Sequence, residues 1–103
     1  KGSPMKRFKT YDLAVSFYRA AKASTLPYFL KNQLLRAASS VALNLREGAA
    51  QRSITMRRKH YRIAFTSVKE CQAVFDLEPS KGLEEKADIL AAHLFKLICS
   101  TEK

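Results

Sequence analysis

The sequence predicts an all-α protein, specifically an antiparallel up-down-up-down four-helix bundle. Three observations lead there. Only three glycines and three prolines occur in 103 residues, so turns are few and helices long. Apolar residues, 47% of the chain, recur at three- and four-residue spacing in four successive runs. The connections between those runs are short, which pairs consecutive helices side by side.

The first run begins near Thr10 and carries Leu13, Ala14, Phe17, Ala20 and Ala21, fading at Ser24 ahead of Pro27. Pro27 suits the first turn of a second helix. That helix spans about residues 28–47, with Leu30, Leu34, Ala37, Val41, Leu45 and Gly48 on one face and Glu47-Gly48 as its stop. Ser53 or Thr55 caps a third helix bearing Tyr61, Ala64, Phe65, Val68, Cys71, Gln72 and Phe75. The run EPSKG at residues 78–82 breaks it. Glu84, Glu85 and Asp88 then suit the positive end of a fourth helix, whose stripe is Ala87, Leu90, Ala91, Leu94, Leu97 and Ile98. The first helix has a second apolar line, Tyr11, Val15 and Tyr18, wider than a monomeric bundle requires, which leaves both a monomer and self-association open.

This length supports one domain with a single core. Residues 1–4, ahead of Met5, read as an expression remnant, leaving residues 5–103 as the folded unit. No apolar run approaches the ~18 residues needed to cross a bilayer, and no secretory signal is visible. A soluble, cytoplasmic protein is expected. In that compartment Cys71 and Cys99 are expected as buried, reduced thiols.

Charge is distributed unevenly. All eight arginines precede residue 63. Up to Ile63, fourteen Lys and Arg face only Asp12 and Glu47, giving +12; the remainder has five bases against seven acids, giving −2, and together these make the formal +10. In an antiparallel bundle the start of helix one, the end of helix two and the start of helix three share one end. That end is expected to gather Lys6, Arg7, Lys9, Arg46, Arg52, Arg57, Arg58, Lys59 and Arg62. Arg57, Arg58 and Lys59 fall near a helix N-terminus, where the macrodipole disfavours each cation by about 0.3–1 kcal/mol. Cations held at a cost, most of them arginines whose planar fork matches phosphate oxygens, point to an anionic partner, with RNA ahead of a membrane surface. No helix-turn-helix, zinc-finger spacing or RNP-type strand is present, so recognition leans on phosphate and shape. Tyr61 could stack on a base but fits the core stripe better.

Two segments carry a family resemblance. Residues 32–48, NQLLRAASSVALNLREG, and residues 63–70, IAFTSVKE, resemble the two signatures of the four-helix-bundle family of the 23S rRNA intervening-sequence protein. Ala42 stands where many relatives carry Pro, Thr66 where many carry Gly, and Arg46 replaces a small residue. The resemblance implies a bacterial, ribosome-associated homopentamer without enzymatic activity that associates with 23S rRNA. The chain is also similar to the accessory protein of diversity-generating retroelements, which engages a reverse transcriptase and its RNA. Arg36, Glu47 and Glu70, shared with the family, are expected to form an inter-helix ion-pair or capping network.

Catalysis and metal chemistry find little footing. Glu47 and Glu70 come with no nucleophile motif and no glycine-rich phosphate loop. Neither His60 nor His93 has a Glu three residues before it, as a di-iron bundle requires. No cofactor and no metal are expected.

Overall fold

A computed structural model describes residues 8–101. Four helices follow one another: α1 Lys9–Lys22, α2 Tyr28–Ala49, α3 Ile54–Leu77 and α4 Lys81–Thr101. They pack as a ring, α1 on α2, α2 on α3, α3 on α4 and α4 on α1. Contacts climb one helix as they descend its neighbour. Ser67 meets Ser40 while His60 meets Asn44 across α2 and α3, and Gln72 meets Asp88 while Arg58 meets Thr101 across α3 and α4. These contacts run α2 against α3 and α3 against α4, as connections of five residues or fewer favour.

The predicted stripes become one shared core. Phe17, Leu34, Val41, Leu45, Val68, Cys71, Leu90 and Leu94 are its largest fully buried side chains. Across the ring Phe17 and Phe75 meet edge to face, centroids 6.5 Å apart at 90°, the arrangement favoured by aromatic quadrupoles.

Helix boundaries follow local chemistry. Of the two expected caps for α3, Ser53 fills the role, its Oγ accepting from the Met56 N–H at 3.3 Å. Pro27 is the N-cap residue of α2 rather than part of its first turn. Residues 78–80 suffice to break the chain before α4. Gly82 lies inside the first turn of α4, where the Glu84 carboxylate accepts from the Ser80 N–H at 3.0 Å and holds the turn closed.

Gly48 is not a helix stop. It is buried within α2, has no positive φ, and the helix continues to Ala49. Its lack of a side chain serves packing: a Cβ there would meet the Tyr61 ring at 2.7 Å. This is also where Tyr61 belongs, 4% exposed and part of the core. Ala42 leaves α2 unbroken where a proline would kink it.

The second apolar line of α1 is not an open face. Tyr11, Val15 and Tyr18 are half-buried, and both tyrosines pack against the core. The most exposed large apolar side chains among the described residues lie on the other helices: Tyr28, Phe29 and Leu43 on α2, Ile54 and Leu77 at the two ends of α3, and Ile89 and Phe95 on α4. Cys71 is buried as expected, whereas Cys99 is exposed; both are free thiols. Desolvation, with a smaller push from Glu70, raises the Cys71 thiol to about 12.

Candidate nucleic-acid interface

The start of α1, the end of α2, the start of α3 and the end of α4 meet at one end of the bundle. Arg46, in the last turn of α2, lies over the Tyr11 ring at 5.5 Å. Arg58, in the second turn of α3, donates to the Thr101 carbonyl at 2.8 Å. Lys9 opens α1, Arg52 lies in the connection between α2 and α3, and Lys59 and Arg62 follow in α3. Seven of the nine expected cations are thus on elements that converge here. Lys6 and Arg7 lie outside the described residues.

These cations fall into two groups. Lys9, Arg46, Arg52, Lys59 and Arg62 are exposed, whereas Arg57 and Arg58 are half-buried. Arg57 donates from Nη2 to the Gln51 carbonyl at 2.7 Å, just past the end of α2, and the Nε atoms of both Arg57 and Arg58 are buried without a partner. Each thus lends positive charge to carbonyls at or just beyond a neighbouring helix C-terminus, a favourable placement. The cost of arginines near the start of α3 is offset within the fold. That cost therefore gives no separate reason to infer an anionic partner, and the inference rests on the exposed cations.

Arg36 and Glu70 line one cleft between α2 and α3, together with Phe29, Gln33, Ala73 and Leu77. Glu47 does not join them. It sits eleven residues beyond Arg36, about 16 Å along α2 at 1.5 Å per residue. A polar seam of other residues links α2 to α3. Ser67, 6% exposed, donates to Ser40 Oγ at 2.8 Å; Asn44 Nδ2 donates to Ser40 O at 3.0 Å; and His60 Nδ1 pairs with Asn44 Oδ1 at 3.1 Å. With the Asn44 carboxamide oriented this way, its oxygen accepts and the histidine donates. A signal was available, since Ser40, Asn44 and Ser67 lie within the two quoted segments. Nothing in their spacing distinguishes a seam from a solvated stripe.

Among the described residues, no group of three or more His, Cys, Asp or Glu is placed to hold a metal ion. No described helix is long and apolar enough to cross a membrane.

No curated protein and no solved structure matches the chain. The family model described as 23S rRNA-intervening sequence protein matches residues 7–94, which takes in all of α1, α2 and α3 and most of α4. A four-helix bundle carrying that match over most of its length belongs to the 23S rRNA-intervening sequence protein family.

Proposed function

We propose that this protein is a non-enzymatic RNA-binding protein that associates with 23S rRNA or its intervening sequence through the basic end of the bundle. The observation that carries this reading is the exposure of Lys9, Arg46, Arg52, Lys59 and Arg62 on segments that meet at one end. Exposed guanidinium and ammonium groups from separate segments can contact several phosphates at once, releasing counterions without reading bases. Arg57 and Arg58 add positive potential while they hold the end together. Lys6 and Arg7, just ahead of α1, belong to the same proposed interface.

Self-association accompanies this reading. Exposed Phe29, Leu43, Leu77 and Ile89 offer apolar area that a lone bundle leaves in water. Several copies would multiply a weak phosphate-binding end into a strong one.

The test is a salt-titrated gel shift of 23S rRNA fragments, with light scattering for mass. Binding is expected to weaken steeply between ~50 and ~200 mM salt. Arg52→Glu combined with Lys59→Glu, both exposed, is expected to lower affinity by at least about tenfold at ~50 mM salt while preserving helicity. Retained affinity in that variant would remove the basic end from the interface. Absence of any wild-type shift at ~50 mM salt would end the RNA reading.

A further inference from the structure

Two aromatic rings sit on the outer side of the groove between α3 and α4. Phe95 is 56% exposed, although it follows directly on the fully buried Leu94. Its ring lies against Phe65, centroids 6.3 Å apart and tilted by 48°. Lys69 Nζ stands 5.3 Å over the Phe65 ring. One turn toward the basic end, Arg62 lines a trough along α3 with Thr55, Lys59, Ile63 and Thr66. Along α3, Arg62 and Lys69 thus lie one turn to either side of Phe65. Asp88, the nearby acid on α4, accepts from Gln72 Nε2 at 2.9 Å.

Exposed phenylalanine bordered by Lys and Arg has a definite chemical fit. A second copy docking here through the same patch would bring Lys69 and Arg62 against their own counterparts, and like charges in apposition oppose association. A nucleotide satisfies both properties, since its base stacks on the ring and its phosphate meets the cations. Stacking needs no sequence because every base has a π-face.

We propose that Phe95, backed by Phe65 and flanked by Arg62 and Lys69, is a stacking platform for an unpaired nucleobase that extends the basic end along α3. The proposal rests on the RNA-binding reading and adds a preference to it. Phosphate contacts alone treat single and double strands alike, whereas a platform of this kind selects unpaired nucleotides. Between Lys59 and Lys69 the helix rises about 15 Å, enough for a short single strand to lie along α3 with its phosphates on the cations.

The test compares a labelled 12-mer oligouridylate with a blunt RNA duplex of equal length, at fixed salt. Phe95→Ala is expected to weaken single-strand binding by about fivefold or more, the loss that goes with one stacked base. Duplex binding is expected to change less than about twofold, and the salt dependence of both to stay the same, because no phosphate contact is removed. Phe95→Tyr keeps the ring and is expected to keep the affinity. The chain has no tryptophan, so Phe95→Trp supplies a single indole whose fluorescence is expected to be quenched by the oligouridylate. Equal loss on both ligands together with a drop in mass by light scattering would assign the patch to contacts between copies and overturn the proposal. Unchanged single-strand affinity in Phe95→Ala, with wild-type binding intact, would overturn it while leaving the basic end in place. If the wild type binds neither ligand, the RNA reading fails first and this one with it.

Discussion

Arg58 and Thr101, forty-three residues apart in sequence, are joined by a 2.8 Å hydrogen bond from guanidinium to main-chain carbonyl. It ties the second turn of α3 to the last described residue of α4, so the last described turn of α4 is held by a side chain from another helix. A helix end otherwise leaves its last carbonyls to solvent. Arg58→Ala is expected to cost about 1–2 kcal/mol, read by urea denaturation. Amide exchange is expected to quicken in the last turn of α4 but not at its centre. Uniform quickening along α4 would mean that the bond supports the whole helix rather than its end.

Gly48→Ala tests two opposing effects. Alanine in place of glycine in a helix is worth roughly 0.5–1 kcal/mol. Here the added Cβ meets the buried Tyr61 ring at 2.7 Å and His60 Cβ at 3.1 Å, both well inside ordinary contact. Overpacking of a filled core costs about 1–3 kcal/mol, so net destabilisation and a lower Tm are expected. Gly48→Ala combined with Tyr61→Leu, which trims the ring, should recover part of the loss.

The Ser40–Ser67 pair invites a double-mutant cycle. Ser40→Ala leaves the Ser67 hydroxyl without its acceptor and is expected to cost about 1 kcal/mol, whereas in Ser67→Ala the Ser40 Oγ still accepts from Asn44 Nδ2 at 3.2 Å and the cost is expected to be smaller. Removing both together is expected to cost less than the sum by at least about 0.5 kcal/mol. Strict additivity in thermal or urea unfolding would show that the two hydroxyls are satisfied independently.

The two cysteines should separate by reactivity and by pH. Cys99 is exposed and is expected to react with a maleimide at once under native conditions, while Cys71 reacts only on unfolding. Burial raises the Cys71 thiol from 9.0 to about 12. Because the folded value lies above the unfolded one, this thiol's contribution is fully present below pH 9 and is lost as pH rises toward 12. At pH 10.5 the wild type is expected to have lost about 2 kcal/mol more than Cys71→Ala, each relative to its own stability at pH 8. Equal losses in the two proteins would mean that the thiol is solvated.

Apolar spacing marked all four helices, because a 3.6-residue period is a local property that survives any tertiary arrangement. Their ends were less legible. Gly48 looked like a stop since glycine commonly ends helices, yet its role depends on where the Tyr61 ring falls, and no local pattern encodes that. Tyr11 and Tyr18 looked like an outward line, but both are half-buried against the core, and Arg46 of α2 lies over the Tyr11 ring. The excess of cations at one end of the topology was plain from charge and helix order. How each cation is used was not.

From its sequence alone this protein is a basic four-helix bundle, since periodicity, scarce breakers and the crowding of arginines ahead of residue 63 are properties of the chain itself. Tertiary structure decided which arginines fasten helix ends and which remain exposed, that Ser40, Asn44, His60 and Ser67 form a seam, and that Phe65 and Phe95 meet across α3 and α4. The reason is geometric: hydrogen bonds and ring contacts act over a few ångströms between residues far apart in sequence, and only packing fixes those distances.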